Sequence, residues 1–249
     1  MMLAAYLGYF SCILIPSFSL GLLVAVVGGG LVSSLMEFFG YRFLRQKKIA
    51  KIYYLALSMG FCTFFENLVI NVIGPLFLVY PPVLRTTPIP IGGLSMGVPD
   101  LLALVLTMAF LVVFSYGIQN TMEGAAIRAA SGNLEATELM GVNLNVLLGL
   151  IFFIAGGAAG LAGVILGIKY TVYPQMWYMT NKVFIATVFG GLGSLAGAVV
   201  ASLGVGLLET FVTAYVSSEA SNLVVFLLLI LVLLFRPQGL LGKQVEEKA

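Results

Sequence analysis

No charged side chain occurs in residues 1–36; the first is Glu37. A helix needs about 20 consecutive apolar residues to cross the hydrocarbon core of a bilayer, and this run is longer than that. Uncharged runs of similar length recur along the chain. A soluble domain could not hide them: 61% of the 249 residues are hydrophobic and only 9% are charged, where ordinary soluble domains carry about 25% charged residues. The solvent for this chain is therefore lipid. That excludes a soluble enzyme, a nucleic-acid binder and a disordered chain.

The runs do not alternate polar and apolar residues, so helices are expected and barrel strands are not. The predicted fold is an all-α, polytopic membrane bundle of about seven hydrophobic segments, forming one transmembrane domain over 1–249. The segments are 2–15, 20–39, 52–73, 101–118, 144–168, 183–208 and 223–235. Pro16 divides the first two, and the first is short for a crossing. The opening lacks the basic start and cleavage site of a signal peptide, so it is expected to remain as structure.

Lys and Arg in short connections set the orientation. Arg42, Arg45, Lys47, Lys48 and Lys51 place 42–51 in the cytoplasm. Alternation then puts 74–99 outside, with Arg85 as its one basic residue and a hairpin-like turn at Ile89-Pro90-Ile91-Gly92-Gly93-Leu94. The 123–143 connection returns to the cytoplasm, and 169–181 and 216–222 face outside. Arg236, Lys243 and Lys248 favour a cytoplasmic C-terminus. Both ends of the 183–208 run then face outside. Gly190-Gly191-Leu192-Gly193-Ser194 interrupts that run. The interruption is either the turn of a re-entrant helix, of the broken kind that lines transporter pathways, or a kink in an ordinary helix.

The chain has no histidine, and its two cysteines, Cys12 and Cys62, sit inside apolar runs. Neither a metal site nor a disulfide framework is expected, and no cofactor. The glycine run at 190–194 lacks the lysine of a phosphate loop, so no ATP site is expected on this chain. Serine chemistry would need a base at depth, and aspartyl chemistry a second acid beside the single aspartate, Asp100. These gaps argue against catalysis and favour moving a solute.

Three features then stand out. Glu66, Asn67 and Asn71 fall within about a turn of one membrane helix, where ionisable groups are expensive and default to a functional role. They line a polar path, or else Glu66 is a protonated or paired structural residue. Glu209 is a second acid at depth, and Glu37 lies within reach of Arg42 or water. In 123–143, Asn133 suits an N-cap, Glu135 a first turn and Gly141 a helix stop, giving a helix over 134–140. So short a helix is unstable alone in water; it rests on the protein or on a partner, unless the segment is an ordinary loop. Finally, Gly156, Gly160, Gly163 and Gly167, and likewise Gly197, Gly204 and Gly206, recur at helical spacing that permits close helix approach. Such stripes serve packing within the chain, a dimer contact or a moving bundle.

Four motifs in order carry a resemblance. Arg128-Ala129-Ala130-Ser131-Gly132-Asn133, with Ala136 and Leu139-Met140-Gly141-Val142-Asn143, resembles the cytoplasmic loop of the branched-chain amino acid ABC-transporter permeases. Ala159-Gly160-Leu161-Ala162-Gly163-Val164 and Phe189-Gly190-Gly191-Leu192-Gly193-Ser194-Leu195-Ala196-Gly197-Ala198 resemble later family segments. Leu234-Phe235-Arg236-Pro237-Gln238-Gly239-Leu240-Leu241-Gly242 is similar to the family ending. The resemblance implies a permease subunit of an ABC importer in a bacterial-type cytoplasmic (inner) membrane. Its implied partners are cytoplasmic ATPase subunits, a second permease subunit, identical or different, and a periplasmic or extracellular solute-binding protein. The solute would be a branched-chain amino acid or a related small polar molecule such as an amide, urea or another amino acid.

Under that resemblance, Arg128, Asn133, Leu134, Glu135, Ala136, Glu138, Leu139 and Gly141 couple to the ATPase. Glu66, Asn67, Asn71, Gly190, Gly191, Gly193 and Ser194 are the candidate pathway residues. Two departures are visible. Family members usually carry one more helix at the start, and many have Gln where this chain has Glu66. The competing reading is a channel or secondary carrier that works without ATP.

Overall fold

A computed structural model describes residues 1–15, 17–47, 49–50, 52–81, 89–91, 94–191, 193–235 and 239, and only the backbone at 89–91, 94–96, 135, 177 and 233. Lys48, Lys51, Arg85, the Gly92 and Gly93 turn residues, Leu192, and Arg236, Lys243 and Lys248 with most of the C-terminal motif lie outside the described residues. The chain divides into two compact units, Met1–Met176 and Trp177–Ala249.

In the first unit, α1 (Met2–Leu14) is followed by α2 (Phe18–Met36), a π-helical turn (Glu37–Tyr41) and α3 (Arg42–Gln46). These last three form one continuous helix. Arg42 and Arg45, expected in a connecting loop, are therefore helical. The uncharged run ends at Met36, but no proline follows before Gln46, so the helix continues for between two and three turns more. Next come α4 (Ile52–Val72), a two-stranded hairpin of β1 (Ile89–Ile91) and β2 (Leu94–Met96), and α5 (Val98–Asn120). The hairpin falls where the sequence predicts one.

The 123–143 segment is more ordered than a connecting loop. It holds α6 (Met122–Gly132) and α7 (Leu134–Leu139), and leads into α8 (Leu144–Lys169). Each of these helices starts at a polar side chain that accepts hydrogen bonds from otherwise unpaired N–H groups. Thr121 accepts from Gly124 N at 3.0 Å, Asn133 from Ala136 N at 3.1 Å and Asn143 from Asn145 N at 3.1 Å.

The core of this unit lies where α1, α2 and α8 meet, around Ala4, Ala5, Tyr6, Ala25 and Val164. Glycine permits it. A Cβ at Gly29 of α2 would stand 2.6 Å from the Gly156 carbonyl oxygen of α8, and one at Gly30 would stand 2.8 Å from the Phe153 ring. The predicted glycine stripe of α8 thus serves packing within the chain, and its unforeseen partner is the Gly29-Gly30 pair. At the opposite end of α8 from α7, Leu78 and Val172 form a β-bridge, Tyr80 Oη donates to the Ala5 carbonyl at 2.8 Å, and Lys169 pairs with Asp100 at 2.8 Å.

The second unit contains α9 (Tyr178–Gly190), α10 (Leu195–Tyr215) and α11 (Ser218–Phe235). Its core gathers Ile185, Ala186, Val205 and Val225. Gly204 and Gly206 have open space around them, whereas Gly197 packs on Gly190. Among the described residues, five helical spans are long and apolar enough to cross a membrane: Phe18–Gln46, Ile52–Val72, Val98–Asn120, Leu144–Lys169 and Leu195–Tyr215. α1 is shorter. The fold is that of an all-α, multi-pass membrane protein.

Candidate functional site

The break at 190–194 is a hairpin and not a kink. On one continuous helix Lys182 and Glu209 would stand roughly 40 Å apart; here their side chains form an ion pair. Gly190 also packs directly on Gly197. α9 therefore runs down and α10 runs back. Gly191 and Gly193 adopt φ of +103° and +91°, a left-handed backbone that a Cβ disfavours. Ser194 caps α10 by accepting from Gly197 N at 3.1 Å. Gly191 is buried and Gly193 exposed. The acid noted at Glu209 is thus answered by Lys182, which sequence reading passed over because it lies 27 residues earlier.

On α4, Thr63, Asn67 and Asn71 form a ladder. Asn71 Nδ2 donates to Asn67 O at 2.9 Å, Asn67 Nδ2 to Thr63 O at 2.8 Å, and Thr63 Oγ1 to Met59 O at 3.1 Å. Each asparagine bond uses one of two amide N–H donors, so polar capacity remains on a face that is exposed. Together with Gly60, Phe64, Leu68 and Val72 these residues line an open groove. Glu66 is not part of that lining. It is half-buried, about 100° around the helix from Asn67. The structure brings Asn67 and Asn71 together and adds Thr63, which a count at i, i+4 and i+8 would have found.

The segment from Thr121 to Asn143 is built as a platform. Arg128 on α6 donates from Nη1 to the Ile118 carbonyl in the last turn of α5, where a cation is favoured. Gly124 lies against the Gly117 and Ile118 carbonyls, with no room for a Cβ. α7 is capped by Asn133 and stopped by Gly141 at φ +87°. Thr137 is buried beneath it and donates to Asn133 O at 2.8 Å. Ala136 and Glu138 are exposed. So are Leu134, Met140 and above all Leu139, whose exposure reaches 89%.

Glu37 is buried and pairs with Arg45, not with Arg42. Arg42 lies over the Phe38 ring, 5.4 Å from its centroid. Eight residues of ideal α-helix would leave Glu37 and Arg45 roughly 80° apart. The wider π-helical turn between them takes up that offset.

Residues 1–233 match the family model described as the branched-chain amino acid transport system, permease component. The chain is 39% identical over 149 residues to the high-affinity branched-chain amino acid transport system permease protein BraD of Pseudomonas aeruginosa, a match covering 58% of this chain and 48% of the relative. It is 38% identical over 146 residues to LivH of Escherichia coli K12, covering 58% and 47%. It is 33% identical over 220 residues to LivH of Salmonella typhimurium, covering 86% and 70%. The chain thus spans about half the length of the first two relatives. No solved structure matches it.

Proposed function

We propose, for a chain that belongs to the permease family of branched-chain amino acid transport systems, that it is the non-catalytic membrane subunit of an ABC importer. It passes a branched-chain amino acid or a related small polar solute across a cytoplasmic membrane. Separate ATPase subunits drive it, a second permease subunit completes it, and a solute-binding protein supplies it. Membership of this permease family supports these partners.

The observation that carries this reading is α7. Leu134, Leu139 and Met140 project from a capped helix at the end of the bundle that carries the basic residues, with Leu139 89% exposed. That end faces the cytoplasm by the distribution of Lys and Arg. Apolar side chains so placed favour cover by another protein. Asn133, Leu134, Ala136, Leu139 and Gly141 shape this surface, Glu138 gives it charge, and Arg128 ties its base to α5; Glu135 is assigned to the same coupling helix by its place in the sequence.

Pathway roles follow from a separate argument. Asn67 and Asn71 would be penalised facing lipid, so their face of α4 meets protein or a wet passage, with Glu66 beside it. The turn that follows Gly190, left-handed at Gly191 and Gly193 and closed by Ser194, supplies non-helical backbone, which at membrane depth is tolerated only where protein or water covers it. The test of the α7 assignment is Glu135→Lys with Glu138→Lys in the assembled transporter. ATPase pull-down should weaken while membrane insertion stays intact. Unchanged pull-down together with unchanged transport refutes the assignment.

A further inference from the structure

We propose that Arg45 is the positioning residue that fastens the α7–α8 junction to the transmembrane bundle, so that movement of α7 reaches α2. The inference rests on the coupling role assigned to α7 above. One nitrogen of Arg45, Nη2, donates both to Glu37 Oε1 at 2.8 Å and to Asn145 Oδ1 at 2.8 Å. Glu37 retains only 4% side-chain exposure and Arg45 22%. A carboxylate so buried is held by its partner, because an unpaired buried charge is costly.

The connection from α7 to this pin is short. Gly141 makes one left-handed turn, Asn143 caps α8 by binding Asn145 N at 3.1 Å and Val146 N at 3.4 Å, and Asn145 is the next helical contact. Only Met140, Gly141, Val142 and Asn143 separate α7 from α8, so a displacement of α7 has little chain in which to dissipate. Beyond the pin, Ser34 Oγ donates to Gly149 O at 3.3 Å, and Gly29 and Gly30 seat α2 on α8. The pin therefore sits at the entry of the tightest helix pair in this unit. It also sits on a π-helical turn, a local insertion that is common where helices change register or serve function. A reversion of Glu37–Tyr41 to α-helix would swing Arg45 off Glu37, which gives the latch two states.

The test uses the complete transporter, with ATPase subunits and binding protein, in liposomes. Asn145→Ala removes one arm of the pin and leaves the buried Glu37–Arg45 pair intact. It should lower the ratio of solute-stimulated to basal ATP hydrolysis at least fivefold, with ATPase pull-down at the wild-type level. Asn145→Asp, which offers Arg45 a carboxylate, should restore the ratio. The exchange Glu37→Arg with Arg45→Glu should recover more of it than either single change. A wild-type ratio in Asn145→Ala overturns the proposal, as does an Asn145→Asp variant that fails like Asn145→Ala. If the wild-type chain binds no ATPase at all, the α7 assignment fails instead, so the two failures are distinguishable.

Discussion

Gly29→Ala tests the packing on which the first unit depends. The new Cβ would stand 2.6 Å from the Gly156 carbonyl oxygen, 3.1 Å from the Ala4 Cβ and 3.3 Å from the Gly160 Cα. Relaxed contacts between such atoms need about 3.5 Å, so α2 and α8 must part by roughly 0.9 Å or bend. Two of the three obstructing atoms are backbone, which cannot rotate away. Overpacking of this kind costs about 1–3 kcal/mol, and the better helix propensity of alanine returns at most about 1 kcal/mol. Against a control that gains the same propensity, Gly29→Ala should therefore be less stable by about 1–3 kcal/mol. Gly149→Ala, on α8 itself, is the control, because nothing lies within 4 Å of its Cβ position. Unfolding of the purified chain by a denaturing detergent titration in mixed micelles measures both. If Gly29→Ala unfolds within about 0.5 kcal/mol of Gly149→Ala, close α2–α8 contact is not what stabilises this unit.

Asn133→Ala removes the α7 cap and should cost about 1 kcal/mol of local helix stability, read as faster amide exchange across 134–139 and weaker ATPase pull-down; unchanged exchange refutes the cap. Gly191→Ala with Gly193→Ala forces two side chains into left-handed backbone and should cut uptake severalfold at equal expression. Normal uptake would mean that the turn tolerates another geometry. Glu66→Gln should shift selectivity among cationic, neutral and amide solutes more than it lowers protein level, whereas an unchanged profile removes Glu66 from the pathway.

The elements were legible where one local rule decides them. Asn133 and Gly141 bound α7 in the sequence and bound it in the structure, Met140 serving as its C-cap. The glycine break ends α9 at Gly190 and starts α10 at Leu195. What was not legible depends on pairing at a distance. Glu209 reads as a lone acid until the hairpin brings Lys182 to it, and Glu37 points to Arg42 until a π-helical turn rotates Arg45 into place. α6 is not legible although Thr121 and Glu123 signal its start, because an alanine- and glycine-rich run among polar residues has no apolar period to follow. Glu66, Asn67 and Asn71 looked like one cluster by proximity in sequence, yet adjacent residues on a helix diverge by about 100°, and Thr63 completes the ladder instead.

The central claim is that this chain conducts solute only when ATPases drive it. The direct measurement is uptake of radiolabelled leucine into liposomes that contain the chain with its permease partner. The vesicles are compared with and without the ATPase subunits, ATP and the binding protein. The account predicts uptake against a gradient that requires all of these and stops when ATP is withdrawn. Equal leucine flux through vesicles that lack the ATPase subunits would contradict it and identify a channel or carrier.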